Sequence, residues 1–392
     1  MKTPLRILVA LLTPAAAFAQ TTHLVGPGGL AQIRDALAVA APGDVIEVQP
    51  GTYAHFTASI GVTIRAVTPG TVLVEYDMAF LPPGCGSSPA CVAAEGPTRI
   101  APPAGQVVNC IGLDFRPTNL SFLFLHRVLV TSGIATFDRC TLQAQNANAL
   151  SVDGARVHLQ QCTLAGVGTG GAAIALAADN AAVTAVRCSF TGSTSASLPG
   201  AAVRLRSSEL QGSQLQLTGG ANLFGAPGAA ALDLDASSAA WISDATLTGG
   251  GTTCPVSVGG GTGRIDRSVL APAGACSSLP TGLVVGADST TPLQNGGPFT
   301  VDYRTDPNQL VLIFASTGLS YVPLPGITDQ ALTLDPGNLW LATALLSDAT
   351  GFATVTWNMP AGQFLDTSLF VVGVGLTPTL LALSPPVGGV IR

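Results

Sequence analysis

Aliphatic and polar residues alternate in six short segments of the chain, and these segments can be aligned with one another. They lie at 150–153, 174–177, 203–206, 232–235, 256–259 and 283–286. In each segment the first and third residues are aliphatic, whereas the second and fourth are mostly polar or small. This period of two is typical of a β-strand with one buried face. Successive segments begin 24, 29, 29, 24 and 27 residues apart, which is the spacing of a solenoid repeat.

A second series of segments lies between the first ones, at 139–142, 161–164, 187–190, 214–217, 244–247 and 267–270. Every coil of the solenoid is therefore expected to contain at least two strands, and glycine-rich stretches such as 166–171 and 249–251 are expected to form the turns. The alternative is a solenoid of helices. That fold needs stretches of about ten residues with apolar positions at i, i+3 and i+4, and none follows Ala41. The pattern predicts a parallel β-helix.

The N-terminal part of this solenoid is expected to begin with a helix that acts as a cap. Leu30, Ile33, Leu37 and Ala40 have helical spacing, between a turn at 26–29 and the stop signal Pro42-Gly43. An open β-helix end exposes apolar side chains and unpaired strand edges, and a short amphipathic helix covers both.

The residues that follow resemble a known family. Residues 38–53, AVAAPGDVIEVQPGTY, are similar to the start of the pectin-lyase-like right-handed β-helix superfamily, including its chondroitinase-B-like and periplasmic copper-protein-like branches. Together with the coils, the resemblance covers roughly residues 23–287. It implies a right-handed parallel β-helix. It does not imply one activity, because this superfamily contains lyases, hydrolases, isomerases and non-enzymatic adhesins.

The repeat ends after Asp288, and the remaining residues have a different pattern. Apolar or alternating runs at 299–303, 310–314, 339–345, 353–357, 369–374 and 380–383 are separated by turn residues. Short strands at this spacing predict an antiparallel β-sandwich. The stretch resembles the C-terminal sandwich of secreted bacterial proteins. Three roles stay open for it: capping the solenoid, binding a partner, or assisting secretion.

The first nineteen residues predict export. Basic residues, an apolar run at 7–12 and Ala17-Phe-Ala19 match the three parts of a secretory signal. The predicted domains are therefore a signal peptide at 1–19, a β-helix at 20–288 and a sandwich at 289–392. We expect a secreted or cell-surface protein without membrane insertion, because no later apolar run reaches the roughly 18 residues that span a bilayer.

The charge of the expected mature chain argues against nucleic acid as a partner. Removal of Lys2 and Arg6 from the 16 basic residues leaves 14 against 22 acidic ones, a net charge near −8, and no lysine remains. Such a chain lacks the basic patch that nucleic acids or anionic membranes require. An extracellular glycan or a cell-surface component is the partner we expect.

Eight cysteines in an exported chain favour disulfides. Cys85 and Cys91 flank a short loop, and Cys254 and Cys276 lie one coil apart, so we predict these two bridges. Cys140, Cys162 and Cys188 occupy one column of the second series. Their spacing of about 4.8 Å suits a stack of buried thiols better than a bridge, although Cys110 remains a possible partner for one of them.

The alignment also places arginines beside aspartates on adjacent coils, and these are the candidate site residues. Arg204 is expected next to Asp233, and Arg206 next to Asp235, on the outward face. Within the resembled superfamily, acidic polysaccharides are cleaved by an Arg or Lys that accepts the proton, often with Ca²⁺ held by acidic residues. A surface ladder of ion pairs is the other interpretation, worth about 0 to 1 kcal/mol per pair.

Other catalytic signatures of the superfamily are missing from the sequence. No lysine is left for the Arg-x-Lys of polygalacturonases or the Lys and Arg pair of chondroitinase-B-like enzymes, and the four histidines have no metal-binding spacing. We therefore expect an exported, non-catalytic binding or structural protein that needs no cofactor. The alternative is a polysaccharide lyase or glycoside hydrolase acting on an acidic polysaccharide, and Ca²⁺ is expected only in that case.

Overall fold

A computed structural model describes residues 20–76, 97–116, 128–168, 171–272, 279–289, 291, 293–324, 328, 330–361, 365–376 and 381–392. These residues form a nearly all-β protein. A parallel β-solenoid is followed by antiparallel sheets, as the sequence predicts. Each coil of the solenoid has three strands, so three parallel sheets run along its axis.

Sheet A contains the middle strands of the coils, which the repeat analysis did not identify individually. Its strands, in spatial order, are β1 (Thr22–Val25), β2 (Val45–Val48), β5 (Thr63–Ala66), β8 (Val107–Ile111), β11 (Ile134–Asp138), β14 (Arg156–Gln160), β17 (Ala182–Val186), β20 (Glu209–Ser213), β23 (Ala239–Ser243) and β26 (Thr262–Asp266).

Sheet B follows sheet A in each coil and corresponds to the second series of segments. Its strands are β3 (Gly51–Ala54), β6 (Val72–Glu75), β9 (Leu113–Phe115), β12 (Thr141–Gln145), β15 (Thr163–Val167), β18 (Ser189–Thr191), β21 (Gln216–Thr218), β24 (Thr246–Thr248) and β27 (Val269–Ala271).

Sheet C completes the coil and corresponds to the first series. Its strands are β4 (Thr57–Ala58), β7 (Thr98–Ile100), β10 (Val128–Val130), β13 (Leu150–Asp153), β16 (Leu176–Asp179), β19 (Val203–Arg206), β22 (Leu232–Leu234) and β25 (Val256–Val258).

Each strand of sheet B begins at the third residue of its segment, because the first two residues form the turn from sheet A. The strand register otherwise confirms the second series. Its fourth residues stand side by side in one buried stack along sheet B, as Leu142, Leu164, Phe190, Leu217, Leu247 and the partly buried Leu270. In the first series, Val203, Leu232 and Val256 are also neighbours, as expected.

Two segments of the first series are wrong. Leu176, not Ile174, stands beside Val203, so that strand begins two residues later than predicted. A shift of two residues keeps the same parity of inward and outward side chains, and alternation therefore cannot distinguish the two positions. The sixth segment, 283–286, forms no further coil, because the chain leaves the solenoid there and continues into an antiparallel strand.

The turn from sheet A to sheet B has the same form in six successive coils. Its first residue has a positive φ between 43° and 55°, at Arg139, Gln161, Arg187, Gln214, Asp244 and Arg267. The residue that follows is buried in the core in the first five of these coils, as Cys140, Cys162, Cys188, Leu215 and Ala245. A left-handed residue bends the chain sharply within two residues. The first residues of neighbouring strands in sheet B are therefore in register with one another.

Three of these inward positions are cysteines. Cys140, Cys162 and Cys188 are buried free thiols, and the Cys162 backbone N–H donates to Cys188 Sγ over 3.4 Å. Burial raises the pKa of Cys140 and Cys162, which keeps these thiols protonated and unreactive. The thiol stack is confirmed. Cys110 is likewise a buried free thiol, so it does not pair with any of the three.

The glycines after sheet B allow close backbone packing rather than only forming turns. Gly192, Gly219 and Gly249 follow β18, β21 and β24, and each approaches the backbone of the returning loop; Gly200, Gly220 and Gly250 pack against neighbouring loops. A Cβ added at Gly220 would lie 1.8 Å from the Ser193 carbonyl oxygen. This corner of the coil therefore requires residues without side chains.

The predicted cap is present as α1 (Ile33–Val39), and it closes the N-terminal end of the core. Ile33 and Ala36 are fully buried in the main hydrophobic cluster, while Leu30, Leu37 and Ala40 pack against it. Gln32 Oε1 accepts a hydrogen bond from the Ala54 N–H over 2.9 Å, which fixes the helix on the first coil.

The C-terminal unit, from Gly286 to Arg392, contains the antiparallel sheets. Sheet D has the order β28 (Gly286–Ser289), β29 (Pro298–Arg304), β34 (Phe352–Asn358). Sheet E has the order β33 (Trp340–Leu346), β30 (Leu310–Ser316), β35 (Ser368–Leu376), β36 (Leu381–Leu383). In the same sheet, β37 (Val387–Val390) also pairs with β35. A separate two-stranded sheet consists of β31 (Leu319–Pro323) and β32 (Ala331–Leu334). All six predicted strands are present, and their apolar faces pack together around Phe299, Val301, Tyr303, Val311 and Ile313.

The C-terminal unit lies along the outer face of sheet A. Ion pairs join the two parts over much of the solenoid: Arg65 with Asp366, Arg187 with Asp288, and Arg392 with Asp138. Gln211 Nε2 donates to the Ala331 carbonyl over 2.9 Å, and Gln160 Oε1 accepts from the Gly388 N–H over 3.1 Å. The unit therefore covers the polar outer face of sheet A.

His158 lies at the centre of this covered face. Its Nδ1 is 2.8 Å from Thr184 Oγ1, its ring meets that of Phe370 edge-on at 5.5 Å, and its Nε2 has no hydrogen-bond partner among the described residues. Burial lowers the pKa of His158 from 6.5 to about 4 and outweighs the opposing effects of Gln160 and Asp138. The folded protein thus contains a neutral imidazole at neutral pH.

The first prediction concerns Gly220. Replacing it with Ala should destabilise the fold by about 1 to 3 kcal/mol or more, because the new methyl group overlaps the Ser193 carbonyl. Chemical denaturation measures this. Gly171→Ala is the matched control, since an added Cβ there meets nothing within 4 Å. Equal denaturation midpoints for the two variants would contradict close packing at Gly220.

The second prediction concerns pH. His158 takes up a proton near pH 6.5 in the unfolded chain but only near pH 4 in the folded protein. Its contribution to the free energy of unfolding is therefore fully present above pH 6.5 and is lost as the pH falls toward 4. The loss attributable to this residue should reach about 3 kcal/mol, from 1.36 kcal/mol per pKa unit. Denaturation between pH 7 and about pH 4 should show a flatter profile for His158→Gln. Parallel profiles of wild type and variant would show that the ring is not buried as described.

Candidate functional site

A groove of about 630 Å³ lies on the outer face of sheet C. Its floor includes Arg204 and Asp233, which are register neighbours on β19 and β22, and Ser257 on β25. Its wall is formed by loops that connect sheet B to sheet C in successive coils, at Pro199, Gly228 and Thr253 among other residues. This groove contains three of the four residues predicted for the site: Arg204, Arg206 and Asp233.

The side chains on the floor pair differently from the sequence prediction. Arg204 is aligned with Asp233, as expected, but the ion pair joins Arg206 Nη2 to Asp233 Oδ2 over 2.6 Å. Arg206 Nη1 also donates to the carbonyl of Leu205 over 2.8 Å, which directs the guanidinium back along its own strand. The predicted pairs of Arg204 with Asp233 and of Arg206 with Asp235 are therefore replaced by one diagonal pair.

Asp235 has a structural role in the turn after β22. Its carboxylate accepts hydrogen bonds from the Ser238 hydroxyl over 2.6 Å and from the backbone N–H groups of Ser207 and Ser237 over 3.1 Å. The Ser238 hydrogen bond is the largest cause that lowers the pKa of Asp235. The residue therefore holds two neighbouring turns together, and it is not among the residues that line the groove.

The diagonal pair leaves Arg204 without a partner. Among the residues that the structure describes, no hydrogen bond or ion pair is made by its guanidinium. The side chain is half-buried on the groove floor. An arginine keeps its charge at any physiological pH and presents a planar set of donors that matches a carboxylate or a sulfate. The groove floor is thus suited to bind an anionic group.

Two loops beside the groove expose apolar side chains. Phe224 is 82% exposed and Leu198 61% exposed, on loops that contain the groove residues Gly228 and Pro199. The loops are joined by a bridge between Ser195 and Asn222, and the Phe224 N–H donates to Asn222 Oδ1 over 2.9 Å. An exposed aromatic ring on an ordered loop is a surface on which a sugar ring can stack.

The coil alignment does not identify these loop residues, because they lie between the repeated strands. A signal was nevertheless present in the sequence. Leu223 and Phe224 interrupt a stretch that otherwise consists of small and turn-forming residues, from Gly219 to Gly228. Large apolar residues in such a loop contribute nothing to the coil alignment, and a loop position more often serves binding than packing.

The four cysteines of the predicted disulfides are only partly described by the structure. Cys85, Cys91 and Cys276 lie outside the described residues, so the Cys85–Cys91 and Cys254–Cys276 bridges stay predictions; Cys254 lines the groove.

Among the described residues, no cluster of three or more His, Cys, Asp or Glu side chains is arranged to hold a metal ion. No helix in the described part of the chain is long and apolar enough to cross a bilayer.

Comparison with known proteins does not assign the chain to a family. No protein family model matches it. No curated protein sequence is significantly similar to it either. The fold and the geometry of the groove are therefore the basis for a function.

Proposed function

We propose that this chain is an exported, non-catalytic protein that binds an acidic glycan in the groove on sheet C. The observation that supports this most directly is the unpaired guanidinium of Arg204 on the groove floor. A carboxylate or sulfate of a glycan gives Arg204 the charge-assisted, two-point hydrogen bonding that no described protein group provides. The exposed ring of Phe224 adds a stacking surface for a neighbouring sugar.

The proposal also assigns the chain to the pectin-lyase-like superfamily, with a C-terminal unit like those of secreted bacterial proteins. The parallel solenoid and the N-terminal cap support this assignment, because both occur where the resemblance of residues 38–53 implies them. Export rests on the signal at residues 1–19 and is part of the same proposal.

The charges in the groove favour binding over cleavage. A lyase that acts on an acidic polysaccharide must neutralise a uronate carboxylate and also accept a proton from the sugar ring. The charged groups that line the groove are Arg204, Arg206 and Asp233, and the last two neutralise each other. Arg204 alone would then have to neutralise the carboxylate and also accept the proton. Asp233 is likewise occupied by Arg206 and is a poor start for a Ca²⁺ site.

The third prediction tests Arg204 directly. Arg204→Ala should weaken binding of the purified protein to a polyuronate or sulfated glycan by about tenfold or more, since a hydrogen bond to a charged group is worth about 1.5 to 3 kcal/mol. Arg204→Lys should retain only part of the affinity, because an ammonium keeps the charge but cannot make the planar, two-point hydrogen bonding of a guanidinium. Binding is measured on a glycan array and then by titration at two salt concentrations.

Arg34→Ala provides the matched control, because it removes the same charge from α1 instead of the groove. If both arginine variants lose affinity equally, the effect is one of net charge and the groove is not the site. The same incubations are examined for unsaturated sugar products with and without Ca²⁺. Product formed by wild type and absent with Arg204→Ala would establish the lyase alternative instead.

A further inference from the structure

The outer edge of sheet D has the features of a contact surface for a second copy of the chain. Its strand order places β28 beside the solenoid and β34 at the far edge. Ser213 on β20 accepts a hydrogen bond from the Ala287 N–H of β28 over 3.2 Å, which fixes that side. Within the described residues, no strand pairs with the other side of β34, which is therefore an open edge of the sheet.

β34 lacks the devices by which proteins protect an open edge strand. It has seven residues, it pairs with β29 without irregularity along its whole length, and it contains neither a charged residue nor a proline. β33, the outer strand of sheet E, differs, because its register with β30 shifts between Ile313 and Phe314. Long, regular and uncharged edges readily pair with another strand, whereas bulges and charges prevent such pairing.

The backbone groups of β34 point the right way for such pairing. The Gly351 carbonyl accepts from the Thr305 N–H, and the Met359 N–H donates to the Gly297 carbonyl, so the odd-numbered residues bond toward β29. By the alternation of an antiparallel pair, the even-numbered residues direct their N–H and C=O groups outward. Phe352 uses its carbonyl for the Asp348 N–H. Thr354 and Thr356 are therefore the central open positions of the edge.

An antiparallel two-fold pairing of β34 about Val355 brings the two threonines of the strand together. In Phe-Ala-Thr-Val-Thr-Trp-Asn, an antiparallel pair centred on Val355 places Thr354 opposite Thr356 of the other copy, and Ala353 opposite Trp357. A two-fold contact requires a surface that is complementary to itself. Cross-strand threonine pairs are favourable, and both threonines have an exposed side chain. The absence of charge on the strand means that no like charges meet across the axis.

We propose that two copies of the chain pair through β34, in antiparallel register centred on Val355, to form a continuous six-stranded sheet. Thr354 and Thr356 each exchange two backbone hydrogen bonds with the partner residue opposite, which gives four across the axis. Exposed apolar residues of β33, the strand that precedes β34 in the chain, lie on the same unit; Leu346 is 70% exposed.

The oligomeric state of the purified protein in solution is the first test. Sedimentation equilibrium should give twice the mass of one chain, and Thr356→Pro should give the mass of one chain. Proline removes an outward N–H, which an edge strand tolerates, and leaves the bonds to β29 intact. Thr300→Ala is the matched control, because it removes the hydroxyl contact with Thr356 without changing the edge, and it should remain dimeric.

Cross-linking then tests the register independently of any effect of proline on folding. Opposite residues in a non-hydrogen-bonded antiparallel pair have Cα atoms about 4.5 Å apart, within the range of a disulfide. Val355→Cys should therefore form a disulfide-linked dimer on mild oxidation. Thr300→Cys, one strand further in, should not. A single-chain mass for wild type at all concentrations, or a dimer that persists in Thr356→Pro without a link at position 355, would overturn the proposal.

Discussion

In-register parallel pairing is the constraint on which the rest of this structure depends. Each coil must return its three strands to positions beside those of the previous coil, or the hydrogen bonds of sheets A, B and C are lost. The left-handed residue at the turn from A to B sets that return within two residues in six successive coils. Variation in length is thus largely confined to the connections from B to C, which grow from 146–149 after β12 to 219–231 after β21.

The groove is a direct result of this asymmetry. Where the B to C loops lengthen, their bases pack tightly through glycines and their tips project beside sheet C, so a wall forms along one face of an otherwise smooth solenoid. The glycines at 192, 200, 219, 220, 249 and 250 have a structural role. Phe224 is on a projecting tip and makes no contribution to the coil. The same few loops therefore contain both close backbone packing and an aromatic ring that is 82% exposed.

The sequence predicted those parts of the fold that repeat, because a buried position must be apolar in every coil. The inward stack of sheet B, the cap at Ile33 and the six strands of the C-terminal unit all follow from periodicity. Sheet A was not predicted strand by strand. Its outward residues, such as His158, Thr184 and Gln211, are polar, yet the C-terminal unit buries them. Such long-range docking leaves no periodic signal in the local sequence.

The candidate site was predictable only to the level of the backbone. Register placed Arg204 beside Asp233, and that neighbourhood is correct. It did not determine which guanidinium takes the carboxylate, because a long side chain reaches diagonal positions as easily as the one opposite. The difference decides the chemistry: with Arg206 bound to Asp233, Arg204 is the cation left for a ligand. An alignment of strands therefore identifies the residues of a site before it identifies their roles.

The positions of the groove and of the open edge have a joint consequence. The groove is on sheet C, the C-terminal unit lies on sheet A, and β34 is the open edge strand of sheet D. Two copies joined through β34 would leave both grooves accessible on separate solenoids. Such a dimer would hold the two grooves at one separation, and a long glycan that reaches both would bind more tightly than two short ones, without any new contact. A polymer with repeated acidic groups is the kind of ligand that could occupy both grooves at once and so bind more tightly to the pair than to one copy.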